Sequence, residues 1–155
     1  MRLESNVFVA RSAADVSAYL GEVSNVAKWD RGVAATEATS TMAAGVGFEF
    51  DTLALRNGKP AENGWGKMSY RISEIDPVNG CTVQLTSKTG NARYFKSAAW
   101  KFRVEAEPGG ARVFCTAEFT LKWRYAFLAP VFYGMKNAIR TDLERLKRVL
   151  ESPVD

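Results

Sequence analysis

The stretch RYFKSAAWKFRVEAEPGGARVFCTAEFTLK, residues 93–122, decides what kind of protein this is. On either side of EPGG, apolar and polar residues alternate. Tyr94, Ala98, Trp100, Phe102 and Val104 share one face of the first half, with Lys101, Arg103 and Glu105 opposite. In the second half Val113, Cys115, Ala117, Phe119 and Leu121 stand opposite Arg112, Thr116, Glu118 and Lys122. A period of two with one apolar face marks antiparallel strands that pack on one side and meet water on the other. EPGG reads as the hairpin turn between them. Lys96 breaks the pattern, falling in register with Tyr94 and Ala98. A long basic side chain there is expected near a rim, because it can snorkel.

The same period runs back to residue 33. VGFEFDTLAL aligns Val46, Phe48, Phe50 and Thr52 against Glu49 and Asp51. GKMSYRISEI aligns Met68, Tyr70 and Ile72, and CTVQLTS aligns Cys81, Val83 and Leu85. RNGKPAENG, DPVNG and KTGN are turn signals between these runs. With LESNVFVA at 3–10, seven strands are predicted, and 33–40 carries the weakest pattern. Between the first two strands lie two short helices. Ser12 and Asp15 form a capping-box variant for a helix over 13–21. Ser24 or Asn25 can cap a second one that runs to Trp29. After residue 122 the period becomes helical. Leu128, Val131, Phe132, Met135, Ile139, Leu143, Leu146, Val149 and Leu150 form one stripe. Some 25 residues would span about 38 Å. Pro130 fits the first turn or kinks the helix, and Pro153 closes it. Arg140–Glu144 and Glu144–Arg148 are expected as i,i+4 pairs on the outer face.

Composition excludes several classes of function. The chain has 155 residues, 46% of them hydrophobic and 25% charged, with a net charge of +4. That is one ordinary globular domain over 1–155, and the charge does not by itself point to nucleic acid. The aromatics alternate onto the buried face, which argues against stacking platforms for single strands. There is no histidine, so the commonest general base and metal ligand are both missing. No metal or cofactor motif and no phosphate-binding glycine loop occurs. The N-terminus lacks the pattern of a signal peptide. No apolar run reaches the ~20 residues of a membrane span. The expectation is a cytoplasmic protein, monomer or homodimer.

A long antiparallel sheet with one apolar face must be covered, and only the C-terminal helix is long enough to do it. A curved sheet wrapped round one helix leaves a cavity. At this point the chain resembles the START-like, or Bet v 1-like, helix-grip superfamily, and within it the bacterial polyketide cyclase/dehydrase and lipid-transport family. The resemblance spans essentially the whole chain. It is carried by SAADVSAYLGEVSNVAKWD (12–30), WGKMSYRISEIDPVNGCTVQL (65–85), EPGGARVFCTAEFTL (107–121) and FLAPVFYGMKNAIRTDLERLKRVLE (127–151). It implies an α+β helix-grip fold: a seven-stranded curved antiparallel sheet around a long C-terminal helix, with two short helices between strands one and two. It also implies that Trp29 plugs the helix pair and that Asp30 ends the helix and turns the chain.

The strand pattern predicts which residues line the cavity: Phe48, Phe50, Met68, Tyr70, Tyr94, Ala98, Trp100, Phe102, Cys115 and Phe119. The helix adds Leu128, Phe132, Met135, Ile139 and Asp142. Trp100 and Met135 are expected to face each other across the pocket. If the strands form a meander, Asn57, Lys59, Lys88, Trp123, Tyr125 and Phe127 gather at one end, the mouth. Asp142 falls within the apolar stripe. It is either a stripe-edge residue tied to Arg145 or to a backbone N–H near the short helices, or a pocket acid with a raised pKa. Cys81 and Cys115, two strands apart, are expected to remain unbridged.

Three functions fit such a fold. One is a binding protein for a small hydrophobic or amphipathic ligand such as a lipid, polyketide, quinone or sterol-like compound. Another is an aromatase/cyclase, for which Tyr70, Tyr94 and Asp142 are the inward polar candidates. The third is a protein-interaction module.

Overall fold

The EPGG hairpin forms as its sequence requires. In the computed structural model, which describes residues 1–56, 59–61, 66–76 and 80–152, strands β8 (Phe95–Glu107) and β9 (Gly110–Leu121) pair over almost their full length. Glu107 opposes Gly110 across a two-residue turn. Gly109 holds φ +84° there, the conformation a type II turn asks of the residue after proline. Ahead of the hairpin come β1 (Arg2–Val9), α1 (Ala13–Gly21), a 3₁₀ turn (Val23–Asn25) leading into α2 (Val26–Trp29), then β2 (Ala35–Ala38) and β3 (Glu49–Leu53). A small hairpin, β4 (Leu55–Arg56) with β5 (Lys59–Pro60), precedes β6 (Lys67–Asp76) and β7 (Gly80–Leu85). After β9 a 3₁₀ segment (Trp123–Leu128) leads into α3 (Ala129–Tyr133) and α4 (Met135–Glu151).

The large sheet is antiparallel in the order β1-β9-β8-β7-β6-β3-β2. It curves round α4, and the two short helices sit between its first two strands in chain order. Ser12 caps α1, its hydroxyl accepting from the Asp15 backbone N–H at 3.1 Å. Asn25 does not cap α2 with its side chain. It donates to the Tyr19 carbonyl instead, and Glu22 caps the 3₁₀ turn by accepting from the Ser24 N–H.

The core lies between α4 and the β1/β9 side of the sheet. Leu143 and Leu146 are buried there with Val7, Val9, Val113 and Cys115. Either leucine truncated to alanine would cost about 2–5 kcal/mol. Polar ties lock the C-terminal end of α4 to β1. Lys147 donates to the Phe8 carbonyl at 3.0 Å, and Glu151 accepts from the Ala10 N–H at 2.7 Å. Arg11 donates to the Leu150 carbonyl. The i,i+4 ion pair of this helix is Lys147–Glu151, at 2.6 Å, rather than a pair through Glu144.

Several expectations change in three dimensions. The terminal helix is broken at Gly134. The Gly134 N–H bonds to Val131, and the Asn137 N–H bonds to Gly134, both three residues back. This tighter turn re-aims the first segment, so Val131 leaves the stripe and stands 70% exposed. Val46 is also exposed, because β3 begins only at Glu49. Asp51 lies on the outer face as expected, yet it is buried and paired with Lys67 at 2.5 Å. Two bulges shift the inward register. One lies between Ile72 and Glu74, the other between Phe95 and Ser97. The second turns Phe95 inward and leaves Lys96 exposed. The KTGN turn is not a simple hairpin, since it runs into a 3₁₀ turn (Gly90–Tyr94) that carries Tyr94 just ahead of β8. Pro153 lies outside the described residues.

Cys81 and Cys115 both oppose Phe102, on β7 and β9 respectively, and both are free thiols. A thiol titration in denaturant is expected to return two per chain. Gly80 opens β7 at φ +109°, and a methyl group there would overlap the Phe102 carbonyl oxygen on β8. Gly80→Ala should therefore lower stability by about 2–4 kcal/mol in urea melts, combining left-handed strain with a backbone clash.

Candidate ligand cavity

A cavity of about 660 Å³ lies under the N-terminal half of α4. Its sheet wall comes from β3, β6, β7 and β8, with no residue from β1 or β9. Aromatic rings cross that wall in contact. Phe50 stacks on Tyr70 at 5.6 Å between centroids, and Tyr70 meets Trp100 edge-on at 5.5 Å. Trp29 closes the helix side, edge-on to Phe102 at 5.7 Å. Met68, Tyr70, Trp100 and Phe102 all point to the inner face and yet are only half-buried. Inward side chains that keep accessible surface are the signature of space the core does not fill.

Ten predicted residues are on the cavity wall: Phe50, Met68, Tyr70, Tyr94, Trp100, Phe102, Phe132, Met135, Ile139 and Asp142. Trp100 and Met135 are both among them, one from the sheet and one from the helix. Five others are not on the wall. Cys115 and Phe119 belong to β9, which α4 and α3 cover directly. Phe119 packs on Phe95 at 5.7 Å and on Phe132 at 5.6 Å. Ala98 is buried in the same layer, opposite Phe119. Phe48 sits in a separate cluster with Phe50 and Ile72. Leu128 ends the 3₁₀ segment, outside the wall. At the mouth, Tyr125 packs on the wall residue Tyr94 at 5.1 Å. Trp123 and Phe127 point to solvent instead. Lys59 and Lys88 are exposed, and Asn57 lies outside the described residues.

Sequence reasoning missed many of the wall residues, two groups of them for a physical reason. The first follows from the bulges. Inward residues on either side of a bulge are three apart instead of two, so Ile75 and Phe95 join the wall. The second is Asp30, which sequence reading treats only as a helix stop. Asp30 does turn the chain, its Oδ1 accepting from the Gly32 N–H at 2.7 Å. It also lines the cavity, as do Arg31 and Asp142.

These residues make a polar pole in an otherwise apolar chamber. Asp142 accepts from Arg31 twice, from the backbone N–H at 3.4 Å and from Nε at 3.1 Å. That is the tie to a backbone N–H near the short helices, strengthened by a guanidinium. Asp30 is half-buried, and burial first and the Asp142 charge second push its pKa up to about 6. The Tyr70 hydroxyl, on the same wall, donates to Met68 Sδ at 3.8 Å. Burial, then the Asp30 charge, holds its pKa well above the ordinary tyrosine value. Burial also pushes the Cys81 thiol up to about 11 and Cys115 up to about 12, so neither is a ready nucleophile. Chemically the chamber offers an apolar wall, a phenol donor, and one carboxyl group that exchanges its proton near neutral pH. Among the described residues no group of three His, Cys, Asp or Glu side chains could hold a metal ion.

The family model described as polyketide cyclase / dehydrase and lipid transport matches residues 1–151. A comparison with curated protein sequences gives no match. Solved structures share the fold at low identity. Ara h 8.0201 superposes with a TM-score of 0.72 at 16% identity, covering 99% of each chain. The Zhui aromatase/cyclase from Streptomyces sp. R1128 gives 0.71 at 14%, covering 97% of this chain and 93% of that one. Norcoclaurine synthase from Thalictrum flavum, in complex with dopamine and hydroxybenzaldehyde, gives 0.71 at 14%, covering 100% and 89%.

The raised Asp30 pKa has a definite sign in stability. Folded Asp30 keeps its proton up to about pH 6, whereas the unfolded chain releases it near 3.8. Its burial therefore destabilises the fold above about pH 6, by at most about 3 kcal/mol, and the penalty disappears as pH falls through this window. Asp30→Asn keeps the acceptor for Gly32 and removes the charge. It should raise the melting temperature at pH 7 and above, with no gain over the wild type near pH 4.

Proposed function

The chain belongs to the polyketide cyclase / dehydrase and lipid transport family, and we propose that it is a binding protein for a small amphipathic ligand held between the sheet and α4. The observation that carries this reading is the chamber itself. Its 660 Å³ is within the ~300–1,000 Å³ of small-molecule sites. Its surface is mostly aromatic and aliphatic, and its charged groups sit together at Asp30, Arg31 and Asp142. A ligand with an apolar body and one hydroxyl, carbonyl or amine head matches that distribution. The head would satisfy the pole while the body displaces water from the rings.

A second reading is favoured by Asp30 alone. A carboxyl group with a pKa near 6, in a chamber that also holds a phenol, can take up and return a proton. Ring closure with loss of water in a polyketide-type substrate needs that capacity. Here Asp30 would move the proton and Tyr70 would donate to a substrate carbonyl.

Native mass spectrometry of freshly purified protein tests the binding reading. A retained small molecule that denaturation releases supports it. An empty protein that also fails to bind apolar dyes counts against it. Trp100→Ala should weaken an apolar fluorescent probe roughly two- to tenfold, the worth of one aromatic contact of ~0.5–1.5 kcal/mol. Circular dichroism must first show the variant folded. Unchanged affinity in a folded variant would remove Trp100 from the site.

A further inference from the structure

We propose that the segment after β9 docks on an anionic lipid surface. Trp123, Phe127, Val131 and Tyr133 are 89%, 73%, 70% and 61% exposed. They stand close together in sequence, on the 3₁₀ segment and α3. Isolated surface apolar residues need no explanation, but four large ones on one short segment do. The inner side of the same segment is fully used, since Tyr125 packs on Tyr94 and Phe132 packs on Tyr94, Phe95 and Phe119. Among the described residues, the rings of Trp123, Phe127 and Tyr133 make no ring contact.

Charge identifies the occupant. The ends of β3, β7 and β9 and the starts of β6 and β8 lie at one pole of the antiparallel sheet. The exposed segment is at that pole. The described segments at it, 54–56, 59–61, 86–97 and 119–141, contain no aspartate or glutamate. They carry Lys59, Lys88, Lys96, Lys122, Arg124 and Lys136 among their cations. Glu62, in the same connection as Lys59, lies outside the described residues. Among the described residues, none of the six named cations is in an ion pair. A second copy placed face to face across a two-fold axis would oppose like charges. A bilayer with anionic headgroups opposes unlike ones. It also accepts tryptophan and tyrosine at the level where these rings are most at home. This proposal stands on the surface alone and not on what the cavity holds.

The test is co-sedimentation of the full chain with vesicles of phosphatidylcholine, with and without phosphatidylglycerol. The expected result is binding only where phosphatidylglycerol is present, with a blue shift of tryptophan emission. Binding should be lost as salt rises from about 0.1 M to about 1 M, which shortens the Debye length from about 10 Å to about 3 Å. Trp123→Ser with Phe127→Ser should weaken it roughly tenfold or more. Lys122→Gln with Lys136→Gln, which leaves the apolar face intact, should weaken it about tenfold. Three outcomes would overturn the proposal. One is no binding to anionic vesicles, or equal binding to both kinds. Another is unchanged binding in the Trp123/Phe127 variant when its circular dichroism matches the wild type. The third is a concentration-dependent dimer that this variant abolishes, which would assign the face to a second copy. Dye titration of the wild-type protein without lipid reports on the cavity separately.

Discussion

One helix cannot cover seven strands. Neighbouring strands lie about 4.8 Å apart, so the sheet is roughly 29 Å wide before it curves. A helix with its side chains is only about 10–12 Å across. The chain resolves this mismatch by placing α4 against one side. Leu143 and Leu146 press into the β1/β9 end, and three hydrogen bonds fasten the helix terminus there. The inner faces of β3, β6, β7 and β8 are left facing a gap. The cavity is therefore a consequence of where the single helix is anchored. The same geometry decides which inward residues reach the gap. Trp100 and Tyr70, on β8 and β6, do so, and Cys115 and Phe119, on β9 beneath the helices, do not.

The polar pole sets a cost against that packing. Asp30 and Asp142 raise each other's energy, and Arg31 is engaged by Asp142 rather than by Asp30. A chain under selection for stability alone would place an amide at residue 30, since the Gly32 N–H needs only a neutral acceptor. Keeping an under-compensated carboxyl group in an apolar chamber is the kind of local frustration that marks a working site. It also bears on the paired residues Trp29 and Asp30. The tryptophan closes one wall of the chamber, and the next residue delivers its charge to the same space.

Most of the fold was legible because period and turn chemistry agree at every level. The EPGG hairpin, the Ser12 cap and the shift from period two to period 3.6 after residue 122 each leave a local mark. What was not legible came from single-residue irregularities. A strict alternation carried past Ile72 puts Glu74 on the inner face, and one carried back from Ala98 puts Lys96 there. Neither charged residue belongs inside, and in both places the chain inserts one residue and restores an apolar side chain to the wall. The mark was present as a charge on the apolar face beside a large apolar neighbour. The burial of Asp51 left no such mark, because Lys67 is 16 positions away and meets it only through the β3–β6 register. Asp30 was legible as a turn residue and illegible as a wall residue, since one carboxylate does both and local sequence reports only the first.

Gly134 connects these parts. A continuous helix would keep Val131 on the stripe with Ile139 and Leu143, and the segment would have one apolar side. The three-residue turns at Gly134 rotate the preceding segment. Phe132 then packs inward on Tyr94, Phe95 and Phe119, while Val131 and Tyr133 face out. The terminal helices thus divide their tasks along their length. The C-terminal half of α4 holds the sheet through buried leucines and hydrogen bonds to β1. The N-terminal half roofs the cavity, and beyond the break α3 packs inward through Phe132. Stability is concentrated at one end of the molecule, and the end that meets ligand and solvent is the less constrained one.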